Sequence, residues 1–182
     1  MDFTVFQGVS AMIYLREITE SDLKYINNAR NDREMAEKLA TPFRYANIET
    51  DMHWFKTYME NRNRYLHYAI CHIQTFEVLG IASLSDIDWI SRSAVFDVHI
   101  GNPVYRGIGA GKMAVQEMLR HAFFDLNLNR IQIEVLDGHT AAIKLFMQSG
   151  FKKEGKLREA VFKDNQAKDV LVMGLLKKEF TG

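Results

Sequence analysis

The sequence predicts an α/β (α+β) fold in one domain: a mixed, mostly antiparallel sheet of about seven strands flanked by helices. Three observations carry this. Short runs alternate apolar and polar residues with period two, longer runs repeat apolar residues with helical period, and a Gly-rich turn feeds one strand straight into a long helix. The order along the chain is β-α-α-β-β-β-α-β-α-β-β, which demands one parallel crossover around the long helix.

Ile13–Ile18 alternates as a first strand, and Thr19-Glu-Ser-Asp22 matches a helix-start capping pattern. A helix follows to about Asn31, and a broken helical stretch continues through Leu39 until Pro42 interrupts it. Ile48, Met52, Phe55 and Met59 fall at helical spacing, giving a second amphipathic helix over 48–61. Tyr65–Ile73 and Val78–Ile87 read as strands joined by the hairpin-length connection Gln74-Thr-Phe-Glu77, and Ala94–Ile100 is a third strand of this group. Met113–Leu126 carries Val115, Met118, Leu119, Ala122 and Leu126 along one helical face. Arg130–Leu136 alternates Ile131, Ile133 and Val135 as a half-buried strand. Thr140–Ser149 is a short helix closed by Gly150 in the role of a left-handed C-cap, and 151–162 and 169–177 are the final strands.

The 182 residues contain 23 Lys plus Arg and 23 Asp plus Glu, so no basic surplus marks a nucleic-acid binder. Cys71 is the only cysteine, which excludes an internal disulfide and a CxxC metal pair and reads as a buried structural thiol. The six histidines show no HExxH or comparable spacing, so no metal is expected. No apolar run approaches the ~20 residues of a spanning helix, and Met1–Ala11 lacks the basic and apolar regions of a signal peptide. The expectation is a soluble cytoplasmic protein without membrane partners, with the domain over 12–180 and an N-terminal extension over 1–11.

The stretch that carries chemistry is Phe96-Asp-Val-His-Ile-Gly-Asn-Pro-Val-Tyr-Arg-Gly-Ile-Gly-Ala-Gly-Lys112. Glycines 107, 109 and 111 permit a tight turn and close backbone approach, and the turn opens a helix whose first N–H groups lack intrahelical acceptors. That is an anion site suited to phosphate, to which Arg106 and Lys112 add charge. A P-loop would need glycine at Arg106 and Ser or Thr at Met113, and a dinucleotide fingerprint counted from Gly107 would need Gly or Ala at Lys112. The P-loop reading fails on these residues, and the dinucleotide reading is weak.

Arg106-Gly-Ile-Gly-Ala-Gly111 resembles the Q/R-x-x-G-x-G/A loop of the GNAT superfamily of N-acetyltransferases. Val135-Leu-Asp-Gly-His-Thr-Ala-Ala-Ile-Lys-Leu-Phe-Met-Gln-Ser-Gly-Phe151 is similar to its second signature, V-x-x-x-N-x-x-A-I-x-L-Y-x-x-x-G-F, in the right order and separation. Leu15-Arg-Glu-Ile, Arg30-Asn-Asp and Asp169-Val-Leu-Val-Met resemble the branch that holds ribosomal-protein N-terminal, spermidine and nucleotide-aminosugar acetyltransferases.

The resemblance implies a GNAT-like domain transferring acetyl from acetyl-CoA, as co-substrate, to a primary amine by direct attack. The acceptor would be a polyamine, an amino sugar or a peptide N-terminus. It implies that Arg106, Gly107, Ile108, Gly109, Ala110, Gly111 and Lys112 hold the CoA pyrophosphate. The pantetheine arm would pair with Val98, His99 and Ile100 where their strand splays from Arg130–Leu136, and a backbone N–H there would face the thioester carbonyl. Glu34 is the first base candidate, since the spermidine-type branch has an acidic residue in this helical region, and Asp97 is the second. Pro42-Phe-Arg44 and the second helix would form the acceptor wall, and a homodimer is compatible with the branch.

Two positions depart from the pattern. His139 stands where the family has Asn, and would contact the cofactor, donate a proton, or merely cap a helix. Phe146 stands at the cofactor-contacting position of the usual Tyr and cannot protonate the departing thiolate. These departures keep open an alternative, a non-catalytic acetyl-CoA-binding sensor or interaction module.

Overall fold

A computed structural model of the chain describes residues 12–101, 105 and 109–182. Strand β1 (Ile13–Glu17) leads through a 3₁₀ turn (Glu20–Asp22) into α1 (Leu23–Arg30), α2 (Arg33–Lys38) and α3 (Ile48–Glu60). Then come β2 (Leu66–His72), β3 (Val78–Asp88), β4 (Ser93–Ile100), α4 (Ala110–Arg120), β5 (Arg130–Leu136), α5 (Thr140–Gln148), β6 (Lys152–Lys163) and β7 (Gln166–Leu176). The expected order holds, with the broken helical stretch resolved into a separate short α2. Asp32 makes the break, because its Oδ1 accepts from Glu34 N at 2.9 Å and Met35 N at 3.3 Å and so caps a new helix. The long helix begins at Ala110, three residues earlier than its apolar face indicates, and ends in a π turn over His121–Asp125. The N-terminal extension read over residues 1–11 lies outside the described residues.

The sheet has seven strands in the order β1-β2-β3-β4-β5-β7-β6, antiparallel everywhere except between β4 and β5. Period-two alternation gives it two faces. Ile13, Ile70, Ala82, Phe96, Ile131, Ile133 and Met173 pack with Ala114, Val115, Met118 and Leu119 of α4, the larger core. Each large side chain buried there contributes about 1.5–3 kcal/mol. On the other face Ala69, Cys71 and Ile81 meet Leu23 and Ile26 of α1 and Tyr58 of α3, and Cys71 is a fully buried free thiol.

Two buried carboxylates fix the helices of that second face. Asp22 takes both guanidinium nitrogens of Arg16, at 2.7 and 2.8 Å, and the Thr19 N–H at 2.8 Å, so the capping residue read from the sequence also anchors β1. Asp51 of α3, wholly buried, receives Asn27 Nδ2 at 2.6 Å and pairs with Arg30 at 2.8 Å, which joins α3 to α1. No helix among the described residues is long and apolar enough to cross a membrane.

Candidate active site

Strands β4 and β5 pair only at Ser93–Val95 with Arg130–Gln132. Beyond that point each has another partner. β4 stays on β3 as far as Ile100, opposite Gly80, and β5 stays on β7 along its whole length. The last five residues of β4 therefore diverge from the last four of β5, and a wedge opens between them.

The backbone groups that face this wedge follow from the ladder. Gly101 N donates to Leu79 O at 2.9 Å, so those two residues form a bonded antiparallel pair. Alternation makes His99 and Ile81 the next bonded pair and turns the N–H and C=O of Val98 and Ile100 away from β3, toward the gap. His99 thus differs from its two neighbours. Its backbone belongs to β3, and its side chain projects to the α1–α3 face, where burial depresses the imidazole pKa to about 4. Gly80 lets the strands come this close, since a Cβ there would sit 2.2 Å from the His99 carbonyl oxygen.

At the wide end of the wedge α4 begins. Its N-cap, Gly109, has φ +96°, a left-handed conformation that favours glycine, and among the described residues no side chain caps the helix. Met113 N bonds to Gly109 O at 3.0 Å, so by helix geometry the N–H groups of Ala110, Gly111 and Lys112 lie before the first intrahelical bond. Gly111 has an ordinary backbone, and a Cβ on it would meet only Leu145 at 3.8 Å and Ile100 at 3.9 Å. Protein packing does not demand glycine there, whereas a ligand lying against the helix start would. Lys112 is exposed and Ala110 fully buried. Arg106, Gly107 and Ile108 of the predicted loop lie outside the described residues.

The opposite face of the wedge is acidic. Alternation puts Asp97 of β4 on the α1–α3 side, and its partner in charge is Glu134 of β5. Asp97 keeps contact with solvent, yet desolvation, and secondarily the Glu134 carboxylate, raise its pKa above the usual aspartate range. Glu34 stands in the first turn of α2, exposed, with Oε1 accepting from Lys38 Nζ at 2.6 Å. Met35, the next residue, packs toward Gly101 at the end of β4.

His139 is the N-cap of α5, its Nδ1 accepting from Ala142 N at 3.1 Å. A ring that accepts through Nδ1 carries its proton on Nε2, so only Nε2 is left to meet a ligand. Phe146 is buried beneath the wedge, edge-on to Phe96 at 6.3 Å and to Phe151 at 5.4 Å. Sequence reasoning missed Glu134 altogether, because its apposition to Asp97 arises only from the parallel pairing of β4 and β5. Among the described residues no group of three or more His, Cys, Asp or Glu is placed to hold a metal ion.

A split parallel pair, a helix start with open amides at its wide end and carboxylates across the sheet can admit a long, narrow, phosphate-bearing thioester from one side and an amine from the other. Those features define an acyl-CoA-dependent N-acyltransferase.

Comparison with known proteins agrees. The family model for the acetyltransferase (GNAT) domain matches residues 13–152. The spermidine N(1)-acetyltransferase of Vibrio cholerae is 27% identical over 178 residues, covering 94% of this chain and 97% of that protein. A Bacillus licheniformis protein known as N-acetyltransferase p20, itself uncharacterized, is 29% identical over 169 residues, covering 92% and 94%. A crystal structure of the V. cholerae spermidine enzyme with CoA and spermine superposes with a TM-score of 0.88 at 25% identity, covering 95% of this chain and all of that one. The chain belongs to the GNAT acetyltransferase family and is an acetyl-CoA-dependent N-acetyltransferase.

Proposed function

We propose that the acceptor is a small cationic primary amine of the polyamine class, with an amino sugar or a peptide N-terminus as the other acceptors this site would take. The observation that carries this reading is the carboxylate pair Asp97–Glu134 on the acceptor side of the wedge. Two carboxylates there favour a molecule carrying more than one positive charge. Similarity over nearly full length to a spermidine acetyltransferase supports it.

Acetyl-CoA supplies the activated acyl thioester. In this reading the open amides of Ala110–Lys112 hold its pyrophosphate, and the gap-facing groups of Val98 and Ile100 align its arm. An ammonium cannot attack, so a proton must first leave it. Asp97, with its raised pKa, is better matched to that step than Glu34, which is already engaged by Lys38. Phe146 donates no proton, so the thiolate takes one from solvent, while the neutral His139 ring offers only an Nε2–H hydrogen bond; a thiol of pKa about 8.5 leaves tolerably without help.

The test is release of free CoA thiol across spermidine, spermine, amino sugars and N-terminal peptides. The reading expects polyamines to give the highest kcat/KM. Tight acetyl-CoA binding with no turnover on any amine would overturn it in favour of a sensor. Within an active enzyme, Asp97→Asn should lower kcat/KM by about 10²-fold or more and remove the acid limb of the pH profile, while Glu34→Gln keeps that limb. An unchanged limb in Asp97→Asn would assign the base elsewhere.

A further inference from the structure

Lys163 is the last residue of β6, closing a tight hairpin through Asp164 and Asn165, which both have positive φ. Its ammonium does not end in solvent or on a carboxylate. It donates to the backbone carbonyls of Ala36 and Leu39, the latter at 2.5 Å, more than 120 residues away in sequence. These carbonyls belong to the C-terminal turn of α2, where a cation is favoured; Ala36 O also accepts the Leu39 N–H at 3.2 Å. The side chain is half-buried, and desolvation lowers its pKa against the opposing pull of Asp164 and Glu37.

The other attachment of α2 lies on a different strand. Met35 reaches the end of β4, its Cε 3.2 Å from where a Cβ on Gly101 would be. The sheet order is β4-β5-β7-β6, so an element touching the ends of both β4 and β6 must cross the mouth of the wedge between β4 and β5. α2 is thus a strap over the acceptor side of the site, held at its middle by Met35 and along its C-terminal turn by Lys163. Hydrophobic contact at Met35 tolerates sliding. Two charge-assisted hydrogen bonds at Lys163 do not.

We propose that Lys163 is a positioning residue for the acceptor: it latches α2 across the wedge and so holds the acceptor wall in the geometry that binds the amine. This rests on the reading of the wedge as the acetyl-transfer site. Lys163 touches neither substrate, so its removal should act on acceptor binding and leave the cofactor half alone.

The experiment compares full-length wild type with Lys163→Met and Lys163→Arg, using the best amine from the acceptor panel. Lys163→Met is expected to raise the acceptor KM about tenfold, with kcat and the acetyl-CoA KM within about twofold, and Lys163→Arg, which keeps the donors, to recover most of the loss. A parallel measurement needs no turnover. Limited trypsinolysis of the free proteins should cut after Lys38 and Arg44 several times faster in Lys163→Met, with sites outside α2 and its flanking loop unaffected apart from the cut lost at position 163. An unchanged acceptor KM in folded Lys163→Met, equal losses in all three kinetic constants, or unchanged cleavage after Lys38 and Arg44 would overturn the proposal. If wild type acetylates no amine, the functional reading fails, and the cleavage rates alone decide the latch.

Discussion

Gly80→Ala tests whether the wedge depends on the close approach of β3 and β4. A Cβ at Gly80 would lie 2.2 Å from the His99 carbonyl oxygen and 3.1 Å from its carbonyl carbon. Both are backbone atoms, so no rotamer change relieves the clash. Restoring an ordinary contact of about 3.2 Å requires the strands to part by about 1 Å, and overpacking of this kind costs about 1–3 kcal/mol. For a chain of this length each kcal/mol lowers Tm by about 2–4 °C, so a fall of about 2–12 °C is expected by calorimetry. The displaced segment is the one whose neighbours, Val98 and Ile100, face the gap, so CoA affinity by titration calorimetry should weaken about tenfold or more. A variant with unchanged Tm and unchanged Kd for CoA would refute both the packing argument and its link to the cofactor.

Two further perturbations probe other parts of the account. Phe146→Tyr restores a hydroxyl beneath the wedge and should raise kcat about tenfold or more in steady-state assays, whereas an unchanged kcat would mean that thiolate protonation is not limiting. Asp22→Asn should destabilise the fold by about 2 kcal/mol at neutral pH through loss of the Arg16 pair. Burial opposes ionisation of Asp22, but the Arg16 and Thr19 hydrogen bonds outweigh it and hold the carboxyl below its ordinary range. Its contribution is therefore complete above the unfolded value of about 3.9 and disappears as pH falls through the lower folded one. The Tm difference between wild type and Asp22→Asn should stay level from about pH 8 to pH 5 and shrink below about pH 4; a difference that persists in acid would contradict the ion pair.

What the sequence made legible was local. Arg130–Leu136 has the bounds its alternation predicts, Gly150 has the positive φ of a C-cap, and the strand–turn–helix around Gly109 stands where the glycines mark it. Asp32 was the missed signal for dividing α1 from α2, since an Asp preceding Arg-Glu-Met is itself a helix start. The features that distinguish this site are of another kind. Asp97 meets Glu134 only through the one parallel pairing of the sheet, and Lys163 reaches α2 only because the β6–β7 hairpin extends past β5. Neither has a periodicity or spacing to reveal it. His139 shows the limit of motif reading, since the position marked by a family pattern carries a helix cap on one ring nitrogen, leaving the other as a hydrogen-bond donor.

Backbone amide exchange, resolved residue by residue with and without CoA, reaches the central idea most directly. If the opening between the diverging strands receives the pantetheine arm, the Val98 amide should slow sharply on adding CoA, while His99, already bonded to β3, should change little. Saturation with CoA that leaves Val98 exchanging as in the free protein would contradict it.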